Sequence, residues 1–181
     1  MISDEDPDRG LELDPTDRRI LECLQENCKR PLASIGEEVD LTASSVMERI
    51  HKLEAAGVIR GYAALVDARK LGKDVSAFIG VAISHPRAAL SFEREVERTP
   101  DVLECHHVTG EWTLMLKVKT RNTRTLEQLI DRIREHEGVL RTETMVVLST
   151  HTERVRIPLD VETASPPKRH RRGGDARLRR A

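Results

Sequence analysis

Between Thr42 and Lys52 the chain sets Thr42, Ser44, Ser45, Glu48, Arg49, His51 and Lys52 around a run of apolar residues. Ser45, Glu48, Arg49 and Lys52 fall at i, i+3, i+4 and i+7, one face of a helix, while Val46, Ile50 and Leu53 recur at i, i+4 and i+7 on another. Short hydroxyls at a helix start, with a guanidinium one turn on, are groups that hydrogen-bond base edges in a major groove; His51 and Lys52 suit phosphates. Thr42 stands where its hydroxyl can cap the helix and touch a phosphate. The same pattern also describes a merely solvated helix face, and periodicity alone does not separate the two. Glu48 and Arg49 have a further alternative, because an ion pair within the helix or with the first helix would hold either of them away from DNA.

Two other groups of residues invite chemistry. Cys105-His106-His107 and the pair Cys23 and Cys28 are metal-ligand types. In a strand, however, Cys105 and His107 share one face and His106 takes the other, and two ligands do not fill a tetrahedral site. Cys23 and Cys28, five apart on a helix, lie on different faces. No metal and no cofactor is expected, and three cysteines, an odd number, read as free thiols in a reducing compartment. The second group is the run Lys168-Arg169-His170-Arg171-Arg172 with Arg177, Arg179 and Arg180 beyond it, a set of cations suited to a polyanion.

The formal net charge of −1 conceals how the charges are distributed. Residues 1–13 sum to −4, residues 14–62 to −2, residues 63–163 to −1 and residues 164–181 to +6. A basic tail from 158 to 181 and an acidic arm over 1–12 are expected to stay disordered, having too little apolar surface to fold. With only two Phe, one Tyr and one Trp, the chain is poorly equipped to stack on single strands, which leaves duplex recognition by a helix. Neither a long apolar run nor a signal-peptide pattern is present, so no membrane partner is expected and the location is taken as cytoplasmic, nucleoid-associated.

These residues need elements to position them. Asp14-Pro15 opens a helix with Ile20, Leu21 and Leu24 inward, ending near Asn27. A short helix from about Pro31 to Val39 follows, then the connection Asp40-Leu41-Thr42 and the third helix, stopped by Gly57. Val58 to Tyr62 is expected to start a strand, which would complete a winged helix-turn-helix over 13–62, with 63–74 a connecting strand or linker. From 75 to 157 the periodicity changes. A strand (Val75, Ala77, Ile79, Val81, Ile83), a helix from Pro86, strands Val102–Val108 and Trp112–Lys119, a helix carrying Leu126, Leu129, Ile130 and Ile133, and a last strand Val139–Ser149 read as βαββαβ, ferredoxin-like. The fold class is therefore α+β.

The stretches Leu13 to Leu21, Leu41-Thr42 with Glu48 to Tyr62, and Thr142 to Thr150 resemble, in that order, the Lrp/AsnC (feast/famine) transcription regulators over about residues 13–157. The resemblance implies an N-terminal helix that reads double-stranded DNA and a C-terminal RAM-type domain that forms homodimers. It also implies that these dimers assemble further, up to an octamer, with an amino acid bound between them. It places that effector at Gly110, Trp112 and Thr113, with Thr144 on the facing last strand. Four positions depart from the family pattern: Pro31 in place of a capping Ser, Gly36 in place of Ala, Asp40 in place of a turn Gly, and Thr113 in place of an acid. Asp40 can still adopt the left-handed conformation, and Gly36 still permits close packing. Thr113 offers a hydroxyl without charge, so an acidic partner for a ligand ammonium is missing there.

Three functions follow from these features. The leading one is a sequence-specific transcriptional regulator modulated by an amino acid or related small molecule. The second is a nucleoid-type architectural protein with little sequence preference. The third, a siroheme-decarboxylase-like enzyme, shares the two-domain architecture but has no nucleophile with its base, no phosphate-cradling loop and no metal set; an enzyme is not expected.

Overall fold

The computed structural model describes residues 12–159; nearly all of the acidic arm, and the basic tail from residue 160 on, lie outside them. Among the described residues no helix is long and apolar enough to cross a membrane. The chain divides into two compact units, 12–63 together with 154–159, and 64–153.

The first unit is built from three helices. In α1 (Pro15–Glu26), Asp14 closes a capping box: its Oδ1 accepts from the Asp17 backbone N–H at 2.7 Å, and Pro15 fills the first helical position. α2 (Leu32–Val39) starts at Pro31 with no side-chain cap. Arg30 holds that end instead, donating to the Ser34 hydroxyl at 3.1 Å and its carbonyl at 3.2 Å. Glu38, paired with both Arg30 and Arg19, ties α2 to α1. α3 (Ala43–Ala55) is capped by Thr42 and stopped at Gly57 (φ 70°), beyond which the Val58 and Ile59 N–H groups donate back to the Leu53 carbonyl. Ile20, Cys23, Ile35, Val46 and Ile50 form the core between the three.

The α2–α3 turn depends on two backbone positions. Asp40 sits at φ 56°, ψ 45°, the left-handed conformation that the sequence suggested it could adopt. The chain then folds back so tightly, with the Leu41 N–H donating to the Gly36 carbonyl, that a Cβ on Gly36 would lie 2.4 Å from the Leu41 oxygen. Gly36 is therefore required by this turn, and an Ala there would have to open it.

One expectation is corrected. Val58 to Tyr62 is not a strand, nor is 63–74, which contains only a 3-10 turn over Arg69–Leu71. A wing needs two paired strands, and no described segment of the first unit supplies the second. The segment is fixed differently, by the Tyr62 hydroxyl donating to Glu54 at 2.9 Å. Burial and that carboxylate push the phenol up to about 12.

The second unit is a four-stranded antiparallel sheet in the order β2-β3-β1-β4, with β1 Val75–Ile83, β2 Val102–His107, β3 Leu114–Thr120 and β4 Val139–Val146. α4 (Pro86–Glu97) and α5 (Thr123–Glu135) cover one face. Ala77, Ile79, Val81, Leu114, Leu116 and Val118 alternate toward that face against Phe92, Val96, Leu126, Leu129 and Ile133, the ferredoxin-like arrangement. The opposite face carries Phe78, Gly80, Met115, Lys117 and Met145.

Replacing Asp40 by Gly removes a left-handed side chain and should raise stability by about 0.5–1 kcal/mol, whereas Gly36→Ala should lower it by more than about 1 kcal/mol. Thermal melts of the two variants check both signs; equal effects would mean that the turn is not set as described.

Candidate nucleic-acid interface and ligand site

α3 buries Val46, Ile50 and Leu53 and turns Ala43, Ser44, Met47, Glu48, His51 and Lys52 outward. Its N-terminal turn has no acidic residue, so its free N–H groups present an unopposed positive end. Thr42 uses its hydroxyl locally: it accepts from the Ser45 N–H at 3.2 Å and lies 2.9 Å from both the Ser44 and Ser45 hydroxyls. Ser45, half-buried, belongs to this cap more than to the outer face. Glu48 and Lys52 pair at 3.1 Å while each stays about 70% exposed, so the contact contributes little and yields readily to a phosphate.

Arg49 lies elsewhere. Its Nη1 donates to Asp14 Oδ2 at 2.6 Å and to Asp17 Oδ1 at 2.7 Å, so it clamps the middle of α3 to the start of α1. This is the alternative that the sequence left open for Arg49. Burial alone would push the Asp14 carboxyl up, but the Asp17 N–H and the guanidinium outweigh it and hold the group below its ordinary 3.8. The structure thus brings Ser44, Glu48, His51 and Lys52 onto one face and sets Arg49 and Ser45 apart from it. Met47, 46% exposed in the centre of that face, is not among the polar residues that the sequence pattern singles out. Its signal is present all the same, since an apolar side chain one turn from Ala43 and His51 is out of phase with the buried stripe, and it could contact thymine methyl groups.

In the second unit Gly110 (φ 111°) turns the β2–β3 hairpin, and Thr113 is held in it, its hydroxyl accepting from the Ile83 N–H at 3.1 Å. Trp112 lies flat on the helix-free face of the sheet across Gly80, where an added Cβ would meet the indole at 2.6 Å. Arg141 stacks on the ring, its guanidinium carbon 4.4 Å from the centroid, and pairs with Glu111. Thr144 does not join this group within the chain. It is opposite Ile79 in the β1–β4 register and so faces the helices, lining a groove of about 640 Å3 with Arg124, Glu127, Asp131 and Arg134. A strand alternates its faces, so Glu143 and Arg141, not Thr144, are the β4 residues on the Trp112 side. Position 113 itself provides no acid; the structure supplies one in Glu111, with Arg141 beside it.

His106 bonds Glu104 at 3.3 Å and His107 bonds Glu93 at 2.6 Å, on opposite sides of β2. Among the described residues no group of three or more metal-ligand side chains converges.

Against this geometry, comparison with known proteins is specific. The model of the AsnC-type helix-turn-helix domain matches residues 13–54, and that of the Lrp/AsnC ligand binding domain matches residues 76–157. The HTH-type transcriptional regulator FL11 of Pyrococcus horikoshii is 33% identical over 147 residues, covering 81% of this chain and 97% of that protein. An uncharacterized HTH-type transcriptional regulator of Bacillus subtilis, YezC, is 38% identical over 76% of this chain and 95% of its own length. Among solved structures, a transcriptional regulator of Neisseria meningitidis in complex with L-Met superposes with a TM-score of 0.78 at 32% identity, covering 82% of this chain and 97% of that one. Escherichia coli AsnC gives 0.76 at 29%, over 82% of this chain and 100% of that one.

Three measurements check the site. Arg49→Met should lower stability by about 1–2 kcal/mol, the worth of a partly exposed double ion pair, whereas Lys52→Ala should leave it unchanged within about 0.5 kcal/mol. Asp14 is depressed in the folded state, so its contribution is complete above its unfolded value and is lost as pH falls through the folded one; the melting temperature should drop below about pH 4, less steeply in Arg49→Met. Gly80→Ala should displace the sole tryptophan from the sheet and red-shift its fluorescence, at a cost of about 1–3 kcal/mol. An unshifted spectrum would contradict the packing described.

Proposed function

Because the chain belongs to the Lrp/AsnC family of transcriptional regulators, we propose that it binds duplex DNA sequence-specifically through α3 and is modulated by an amino acid at the β2–β3 hairpin. The observation that carries the first part is the outer face of α3: Ser44, Met47, Glu48, His51 and Lys52 are exposed together, behind a capped N-terminus free of acids. Ser44, Met47 and Glu48 are at base-reading positions, His51 and Lys52 at phosphate-reading ones, and Thr42 and Ser45 shape the cap that meets the backbone. Arg49 acts by positioning, since its guanidinium is occupied by Asp14 and Asp17. A homodimer would present two such helices to successive major grooves of a pseudo-palindromic site, and further assembly of dimers would bring hairpins together.

The Neisseria relative was solved with L-methionine, which supports an amino-acid effector here. The exposed Glu111–Arg141 pair beside Trp112 matches both ends of a zwitterion: a carboxylate for the ammonium, a guanidinium for the carboxylate, and an indole for the side chain. Gly110 and Thr113 shape the turn that presents it. Thr144 would meet a small molecule only in its separate groove or through another copy.

Selection from a random duplex pool, followed by competition against scrambled DNA, tests the main reading. A preference of at least about a thousandfold at physiological salt is expected. A ratio within a few-fold would favour the architectural alternative. In parallel, the twenty amino acids screened by thermal shift should include at least one stabiliser whose effect is lost in Arg141→Gln.

A further inference from the structure

The outer face of α3 holds two side chains for which phosphate binding has no use. Met47 stands at its centre, 46% exposed, with the exposed Ala43 one turn before it, so an apolar strip runs along the N-terminal half of the face. Beside it Glu48 carries a negative charge, its side chain 71% exposed and only loosely paired with Lys52 at 3.1 Å. Arg49, the only arginine of α3, is withheld from that face by Asp14 and Asp17 at 2.6 and 2.7 Å.

The major groove offers a short menu of groups: acceptors on guanine, adenine and thymine, amino donors at cytosine N4 and adenine N6, and one apolar group, the thymine 5-methyl. An arginine bidentate on guanine O6 and N7 is the commonest specific contact, and α3 has no free arginine to make it. Met47 is suited to the opposite end of the menu. Its unbranched thioether adapts to small apolar shapes, and its exposed surface gains only from an apolar partner, which in the groove is the thymine methyl. Glu48, an acceptor only when ionised, is repelled by phosphates and by base acceptors; the base-edge donor paired with an acidic side chain is cytosine N4. Ser44 does not divide the bases in this way, because its hydroxyl both donates and accepts and lies 2.9 Å from that of Thr42. His51 and Lys52 stand farther toward the C-terminal half, whereas the N-terminal residues of a recognition helix meet base edges.

We propose that, given α3 as the reading helix, Met47 and Glu48 determine the sequence selected, Met47 through the 5-methyl of a thymine and Glu48 through the N4 amino group of a cytosine on a neighbouring base pair of each half-site. Successive residues of a helix point about 100° apart, so the two side chains meet neighbouring pairs and not the same one. Guanine enters the site only as the partner of that cytosine.

The probe is a duplex recovered by selection with the full chain, in which each thymine in turn is replaced by deoxyuridine, a change that removes the 5-methyl group and keeps the base pair. At one thymine of each half-site the replacement should weaken binding about fourfold, the worth of one buried methyl group. The effect should persist in Met47→Leu, which keeps an apolar side chain, and vanish in Met47→Ala. Exchanging the neighbouring C·G pair should weaken binding on the order of tenfold in the native protein and little in Glu48→Ala. Both side chains are exposed, so the variants should melt with the native protein, which separates lost recognition from lost folding. A selected duplex with no methyl-sensitive thymine, a uracil effect of equal size in Met47→Ala, or a neighbouring pair read equally well by Glu48→Ala overturns the inference and leaves the α3 reading in place. Selection that yields no duplex preferred over its scrambled form overturns both.

Discussion

The guanidinium of Arg49 solves two problems at one point. The start of α1 leaves N–H groups without helical acceptors, and the capping box answers with Asp14 accepting from the Asp17 N–H and Asp17 from the Asp14 N–H, which places two carboxylates side by side. Arg49, projecting from the middle of α3, neutralises both at 2.6 and 2.7 Å. The rotation of α3 about its own axis is thereby set relative to α1, which decides the side chains left outward. With Val46, Ile50 and Leu53 buried, the free face is Ser44, Met47, Glu48, His51 and Lys52. A cation that could have faced outward is used instead to orient the helix that carries the exposed face.

A comparable constraint operates in the second domain. Its sheet needs one face covered by helices and leaves the other open, and a bulky ring on the open face requires a gap in the pleat beneath it. Gly80 is that gap, and Trp112 fills it so closely that no β-carbon fits. Once the indole lies flat, Arg141 has a π-face to rest on and Glu111 is within its reach. The charged pair that suits a zwitterion is thus a consequence of one missing side chain in the central strand.

Much of this is legible in the order of residues. The caps Asp14 and Thr42, the stop at Gly57, the alternation through β1 and β3 and the stripe of α5 are local patterns, and local patterns are what periodicity and capping chemistry report. The wing is misleading for a matching reason: Val58 to Tyr62 has strand-like composition, but a strand exists only when another pairs with it, and that is not a local property. Family position groups Thr144 with Trp112, whereas the register of β4 on β1 places it opposite Ile79, facing the helices. Met47 carries neither donor nor acceptor of any strength, so a pattern of polar groups leaves it out although it stands at the centre of the exposed face.

Fold class, the amphipathic third helix and the cationic run from Lys168 on are written in spacing, capping or charge along the chain, and the resemblance of three of its stretches to a known family implies which helix faces DNA. Which side chains on that helix are free is instead a matter of long-range packing. Arg49 is bound to residues thirty-two and thirty-five positions away, Gln25 to a backbone 132 positions away, and Gly80 matters because of a ring that arrives from a later hairpin. Contacts at such separations leave no period and no motif in the chain, because what joins the partners is the packing of the core and not their distance in sequence.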